Sequence, residues 1–170
     1  MTVYTTFESP LGDLLLVGDE SATAPGGVAL SSVSMPGQRY APRIRPEWRR
    51  DDEAFAEITR QLAAYFAGES TGFDIEFTMS GTEFQQRVWQ AVEGIAYGTV
   101  TTYGKIAEQL GVPRDRIQAV GAAIGANPLL IVRPCHRVIG ADGGLRGYAG
   151  GVERKQQLLV HEGALQPMLG

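Results

Sequence analysis

The sequence is poor in the residues that build covalent or metal staples. Its 170 residues include one cysteine and two histidines. A single cysteine excludes an internal disulfide. With Cys135, His136 and His161 as the only soft ligands, a structural zinc site would have to recruit carboxylates, which such sites seldom do, so no metal is expected. Long apolar runs are missing too: stretches such as residues 129–132 (LLIV) fall far short of the ~18 residues a membrane span needs. The opening stretch MTVYTTFESP has neither a basic cluster nor a hydrophobic signal core, so nothing predicts export. A soluble protein in a reducing cytoplasm is the expectation.

What is present suffices for a packed core. Hydrophobic residues make up 44% of the chain at a mean hydropathy of −0.08, which excludes disorder as the main state and predicts one compact domain or two small ones. The net charge of −4 hides an asymmetry. Residues 1–100 carry 7 Lys/Arg against 14 Asp/Glu, whereas residues 101–170 carry 8 against 5. Any polyanion-binding face therefore belongs to the carboxy-terminal part.

The amino-terminal stretch reads as strands over residues 3–9, 14–17 and 28–33, separated by Pro-Leu-Gly and Pro-Gly-Gly turns, which predicts a small antiparallel sheet. Residues 36–50 hold three prolines and five arginines with one acid, Glu47, and read as a solvated loop, with contact to a phosphate backbone as the alternative. Residues 51–67 predict an amphipathic helix: Asp51, Asp52 and Glu53 suit its amino-terminal dipole, and Phe55, Ile58, Leu62, Tyr65 and Phe66 recur at helical spacing before Gly68. Residues 73–77 alternate like one more strand. Ser80-Gly81 is the candidate boundary between an α/β domain, residues 1–80, and a mostly helical domain, residues 81–170, an α+β class overall.

Thr82 and Gln85 have the spacing of a capping box, so a helix should start near Glu83, with Phe84, Val88, Trp89 and Val92 along its stripe. A short helix over 103–110 ends at Gly111, and a second follows at about 115–126. Two short helices joined by a tight turn in the basic part of the chain have the pattern of a helix-turn-helix, although helical hairpins also occur in plain cores. The second helix carries Ala119, Gly121, Ala122, Ala123, Gly125 and Ala126. Such small residues serve either tight packing against another helix or insertion into a narrow groove, ~6 Å wide in the minor groove of DNA.

Residues 129–132 predict a short buried strand stopped by Pro134, with Cys135 at its end. A free cysteine is more often an inert hydrophobe than a nucleophile, but its neighbour His136 is the residue type that takes a thiol proton, directly or through a water. On an extended chain the two side chains would point oppositely, which favours a bend or a water between them. The imidazole needs a carboxylate to set its tautomer, and Glu162, at the end of a helix over 153–162, is the candidate, with an ordinary surface carboxylate as the alternative. Between these elements residues 140–151 hold six glycines in twelve positions, a loop able to wrap a flat ligand with Tyr148 as its wall, or simply a mobile one.

The elements Gln85-Gln86-Arg87-Val88-Trp89, Tyr97-Gly98-Thr99-Val100-Thr101-Thr102-Tyr103, Ala119-Val120-Gly121, Asn127-Pro128, Pro134-Cys135-His136-Arg137-Val138 and Gly147-Tyr148-Ala149-Gly150-Gly151 stand in this order. Together they resemble the O6-alkylguanine-DNA alkyltransferases, also called methylated-DNA-protein-cysteine methyltransferases. The resemblance is strong over residues 82–163; the first eighty residues fit in size and strand content. It implies irreversible, single-turnover transfer of an alkyl group from O6-alkylguanine, and from O4-alkylthymine, to Cys135, with no cofactor. His136 and Glu162 would draw the thiol proton through a water, Tyr103 would assist flipping and protonate the base, and Asn127 would brace the site. The partner implied is double-stranded DNA carrying alkylated guanine, approached from the minor groove by Tyr103, Arg114, Arg116, Gln118, Ala119, Gly121, Ala122 and Arg137. Tyr148, Ala149 and Gly150 would cover the flipped base. A monomer with no membrane contact is expected, and cooperative loading on DNA stays an open alternative.

Two positions depart from the family pattern. Gln118 stands where the intercalating arginine belongs, so Arg114 or Arg116 would have to substitute or flipping would be weaker. Arg133, just before Pro134, stands where the family often has an apolar residue. Two other readings compete with the transferase: a module that flags alkylated bases without reacting, which Cys135 disfavours, and a cysteine hydrolase, which would have no use for the Gly/Ala-rich helix.

Overall fold

A computed structural model of the chain describes residues 1–166, which divide into two compact units, Met1–Ser80 and the part from Gly81 onward. In the first unit, β1 (Thr2–Ser9) and β2 (Gly12–Glu20) form a hairpin. Ser9 closes its turn: the hydroxyl accepts from the Leu11 amide and donates to the Gly12 carbonyl. β3 (Val28–Ser34) pairs antiparallel with β2, and β4 (Arg49–Arg50) pairs parallel with β1, giving the order β3-β2-β1-β4. The sheet is therefore mixed rather than purely antiparallel. The loop expected over residues 36–50 ends in this strand because the Asp51 amide donates to the Tyr4 carbonyl and Arg49 and Arg50 find acids within the unit, Glu20 and Asp51 for the first, Asp52 for the second.

The helix expected over 51–67 begins as a 3-10 turn, Glu53–Phe55, and continues as α1 (Ala56–Phe66). Phe55, Ile58, Leu62 and Tyr65 are buried, as their spacing requires. The fifth strand anticipated at 73–77 is reduced to one parallel bridge between Leu30 and Phe77. Its course is set instead by Gln61, whose side-chain amide accepts from the Asp74 amide and donates to the Asp74 carbonyl, taking the backbone groups a strand would have used.

The second unit opens with the capping box: the Gln85 amide donates to Thr82 Oγ1 at 3.1 Å, the Thr82 amide to Gln85 Oε1 at 2.9 Å, and α2 (Glu83–Glu93) follows. β5 (Thr101–Thr102) leads into α3 (Tyr103–Gln109), Gly111 turns the chain at φ 71°, and a 3-10 turn, Arg114–Arg116, leads into α4 (Ile117–Gly125). α2 packs on α4, where Trp89 Nε1 donates to the Ala123 carbonyl at 2.8 Å. β6 (Val138–Ile139) pairs parallel with β5, and α5 (Val152–His161) follows the glycine-rich loop. Among the described residues, no helix is long and apolar enough to cross a membrane.

A bulge in β2 at Val17/Gly18 shows how tightly the first unit is built. A Cβ at Gly18 would lie 2.5 Å from Val28 Cγ1 and 2.6 Å from the Ala29 carbonyl oxygen, a collision with backbone that no rotamer relieves. Gly18→Ala is expected to lower stability by about 1–3 kcal/mol. A denaturant titration checks this, and an unchanged midpoint would contradict the packing described.

Candidate active site

Asn127 organises the chain that leads to the cysteine. It lies just past the end of α4, is buried, and its Oδ1 accepts from the Leu129 amide at 2.9 Å. Its Nδ2 donates to the Arg133 carbonyl at 3.1 Å and to Cys135 Sγ at 3.2 Å. Drawn to one side chain at both ends, the apolar run 129–132 cannot extend. The strand expected there is a buried turn instead, with the Val132 amide donating to the Leu130 carbonyl, the Arg133 amide to the Leu129 carbonyl, and Ile131 at φ 72°. A β-branched residue in the left-handed region is uncommon and is held here by the burial of Leu129, Leu130, Ile131 and Val132.

Cys135 accordingly is not at a strand end. Cys135–Arg137 form one 3-10 turn, closed by the Arg137 amide on the Pro134 carbonyl. Successive side chains on such a turn diverge by ~120° rather than the 180° of a strand, so Cys135 and His136 are not opposed. His136 is fully buried, and its Nε2 lies 2.8 Å from Glu162 Oε2. Glu162 caps the end of α5. An ionised carboxylate there accepts from Nε2–H, which assigns Nδ1 as the basic nitrogen; Nδ1 is buried and has no hydrogen-bond partner among the described residues.

Arg137, expected among the DNA contacts, points inward. Its Nε donates to Glu162 Oε1 at 2.7 Å, its Nη2 to Oε2 at 3.0 Å and its Nη1 to the Ile95 carbonyl at 2.6 Å. A guanidinium spent on a buried carboxylate is not available to a phosphate. It neutralises Glu162, which would otherwise be a costly lone charge.

The thiol sits in a dry place. Burial pushes its pKa up to about 11, against the opposing pull of the Asn127 hydrogen bond and of the cations Lys155 and Arg133. Burial also pushes His136 downward, so thiol and neutral imidazole are the resting forms at neutral pH. Lys155 has no solvent exposure, and its burial pushes it down to about 8; its Nζ donates to the Arg146 carbonyl at 3.1 Å and lies 5.9 Å from the Tyr103 ring centre. Tyr103, half-buried at the start of α3, has its pKa raised by burial and then by the thiol. A Cβ on Gly121 would lie 4.0 Å from Tyr103 Cδ1, so α4 meets the tyrosine through a residue without a side chain.

The remaining expected residues fall into two groups. Arg114, Arg116, Gln118, Ala119 and Ala122 are exposed on the turn before α4 and on α4 itself, so the small residues Ala119, Ala122, Gly125 and Ala126 do not serve helix packing; Ala123 does. Tyr148 stands edge-on to His136, ring centres 6.4 Å apart, with Ala149 half-buried and Gly150 buried beside it. The glycine-rich loop is closed on itself by the Gly140 amide on the Gly144 carbonyl, the Gly144 amide on Asp142, and an Arg146–Asp142 ion pair. Lys155 and Arg133 were not among the expected site residues. Lys155 carried a readable signal: with Leu158, Leu159 and Glu162 it holds spacings of three, four and seven on one helix face, a lysine in an otherwise inward stripe. Among the described residues, no group of three or more His, Cys, Asp or Glu could hold a metal ion.

Comparison with known proteins bears on both units. The 6-O-methylguanine DNA methyltransferase ribonuclease-like domain matches residues 2–79, and the 6-O-methylguanine DNA methyltransferase DNA binding domain matches residues 83–164. A methylated-DNA–protein-cysteine methyltransferase of Mycolicibacterium paratuberculosis is 49% identical over 162 residues, covering 95% of this chain and 93% of the relative. One from Methanosarcina acetivorans is 45% identical over 161 residues, with 95% and 98% covered. The crystal structure of Mycobacterium tuberculosis O6-methylguanine methyltransferase superposes with a TM-score of 0.84 at 47% identity, covering 98% of this chain and 96% of that one. That of Mycobacterium tuberculosis OGT in complex with DNA gives 0.84 at 46%, with 95% and 93% covered.

The inward role of Arg137 has a direct check. Arg137→Met strips the buried Glu162 of its cation and is expected to cost about 3–5 kcal/mol in stability, read from urea unfolding. A DNA-contacting arginine would instead leave the unfolding curve where it is.

Proposed function

The chain belongs to the 6-O-methylguanine DNA methyltransferase family and repairs alkylated DNA by direct transfer of the alkyl group to a cysteine; from that premise we propose that the acceptor is Cys135 and that its surroundings perform the transfer as follows. The observation that carries the assignment is simple: the chain contains one cysteine, its sulfur accepts from Asn127, and the residue after it, His136, is bonded to the buried Glu162. DNA is the partner, and no cofactor is required. A buried free thiol suits a reducing compartment, and the cytoplasm is the location we propose.

The reaction is displacement at a saturated carbon. The Cys135 proton leaves through a water to Nδ1 of His136, whose imidazolium is stabilised by Glu162 on the opposite nitrogen. Sγ then forms a bond to the alkyl carbon as the bond from that carbon to the guanine oxygen breaks. The departing guanine takes a proton, and Tyr103, whose raised pKa keeps the phenol protonated, is the donor. No oxyanion accumulates on the alkyl group, so no oxyanion hole is needed. Water could release the alkyl group from the thioether only by expelling a basic thiolate, a poor leaving group, which makes each molecule a single-use reagent. The same chemistry extends to O4-alkylthymine, whose alkylated oxygen is an equivalent leaving group.

The thiol is reached only by a base taken out of the duplex, at a cost of a few kcal/mol. The exposed, nearly side-chain-free face of α4, with Ala119, Gly121 and Ala122, suits close approach to a minor groove, and Arg114 and Arg116 on the preceding turn suit the flanking phosphates. Tyr148, Ala149 and Gly150 would form the wall over the flipped base.

Intact-mass measurement after mixing with duplex DNA containing O6-methylguanine should show one methyl group per chain, on Cys135, with no second turnover. Cys135→Ser should bind the same duplex without gaining mass. Methyl release to water with repeated turnover would exclude the transferase reading in favour of a hydrolase.

The wedge is tested separately. Gln118 is uncharged and shorter than arginine, so it fills a vacated base stack only in part. Gln118→Arg should accelerate single-turnover transfer on duplex several-fold and on single-stranded DNA little; Arg116→Ala should slow duplex transfer selectively. Equal effects on both substrates would show that no side chain here drives flipping.

A further inference from the structure

Arg133 is a buried cation that the chemistry above does not use. Only 7% of it is exposed, and Glu93 Oε2 of α2 pairs with its Nε at 3.7 Å from a partly exposed position. The guanidinium lies over the Trp89 ring, 4.7 Å from its centre. Trp89 is itself fixed to α4 through Ala123, so the cation is seated on a rigid aromatic floor. Its Nη1 donates to Asn127 Oδ1 at 3.4 Å, while Asn127 Nδ2 donates to Cys135 Sγ at 3.2 Å.

We propose that Arg133 is a positioning residue for the transfer reaction: through the Asn127 amide it polarises the hydrogen bond to Cys135 Sγ and stabilises the thiolate that attacks the alkyl carbon. The proposal rests on the transferase reading. A donor placed on the carbonyl end of an amide withdraws electron density from it, and the N–H at the other end becomes a stronger donor. The neutral thiol gains little from this and the thiolate gains much, so Arg133 acts on the reacting form. The direct field of the cation works in the same sense, lowering the thiol pKa against the effect of burial. After transfer the sulfur is a neutral thioether, so Arg133 acts on the attacking thiolate and does not hold the product.

Other charged and titratable groups face the thiol. Lys155 approaches from α5 and favours the thiolate; Tyr103 on α3 couples to it; and the His136, Glu162 and Arg137 cluster lies along the same turn and α5. Glu93 on α2 faces Arg133 rather than the sulfur and partly offsets its field. This gives the proposal two substitutions with opposite signs.

Because the chain has one cysteine, alkylation by iodoacetamide followed by intact mass reports Cys135 alone and requires no DNA. Rates are measured from neutral to alkaline pH for the parent protein and for Arg133→Met, Arg133→Lys and Glu93→Gln, with thermal unfolding of each. Arg133→Met should move the pH profile upward by about one unit, hence about tenfold slower alkylation at any pH below the midpoint. Arg133→Lys should recover most of that loss, and Glu93→Gln, at a partly exposed site, should move the profile the other way and speed alkylation. Single-turnover methyl transfer should follow the same order at unchanged DNA affinity. An unshifted profile in Glu93→Gln, or an Arg133→Met defect that Arg133→Lys does not recover, overturns the proposal, and these comparisons stand even if Arg133→Met does not fold. A parent protein that takes no methyl from DNA would instead overturn the transferase reading, while the iodoacetamide series would still judge Arg133.

Discussion

A carboxylate buried without solvent access must be neutralised where it stands, and in the second unit Glu162 is that carboxylate. Removing such an ion from water costs several kcal/mol even after relaxation, so its partners are not optional. Arg137 supplies a two-pronged cation, and His136 fills the remaining acceptor position. Because these two partners are neighbours in sequence and follow the cysteine directly, the demand fixes the 3-10 turn from Cys135 to Arg137, and with it the direction in which the thiol faces. The turn before it is tied from the other side by Asn127. Cys135 is thus held between two polar networks, one centred on Asn127 and one on Glu162, and neither can shift without exposing unpaired buried groups.

The electrostatic state that results is a resting one. Burial raises the thiol to about 11 and lowers His136, so the protein carries its proton on sulfur until a substrate displaces the balance. For a residue that can be used once, a low intrinsic reactivity has a clear consequence: adventitious electrophiles meet a thiol rather than a thiolate. Asn127, Arg133 and Lys155 pull in the opposite direction, and they do so from fixed positions, which means the stabilisation they offer is available to the thiolate without reorganisation of the site.

The charge distribution differs between the two units. The first eighty residues carry twelve acids against six bases, and the part from Gly81 onward nine bases against seven acids. Arg49 and Arg50, which the composition alone would allow as phosphate contacts, are paired with acids inside the first unit. Arg133 and Arg137 are buried in the second. Arg114 and Arg116 stay exposed on the turn before α4, beside its small-residue face.

Local features were legible in the residues themselves. The Thr82–Gln85 capping box, the buried stripes of α1 and α2, the hairpin turn near Gly12 and the division at Ser80-Gly81 depend on hydrogen-bonding groups a few positions apart or on apolar periodicity, and a linear sequence displays both. So does the Pro-Cys-His-Arg element, whose residue types announce a nucleophile and a base. Features that depend on which way a polar side chain turns, or on partners distant in the chain, were not legible. Residues 129–132 are apolar whether they form a strand or a turn, and only the Asn127 side chain bonding on both sides decides for the turn. The parallel strand at Arg49–Arg50 needs Tyr4, and the failure of 73–77 to become a strand needs Gln61. Above all, an arginine looks the same in sequence whether it faces DNA or a carboxylate; Arg137 turns inward because Glu162, twenty-five residues later, is buried beside it, and that burial exists only once α5 has packed. The sequence by itself determined which chemistry was available and where the helices and hairpin would form. Which charges met, and therefore which of them could still act on DNA, was decided by the tertiary structure, because the cost of an unpaired buried charge is a property of position and not of residue type.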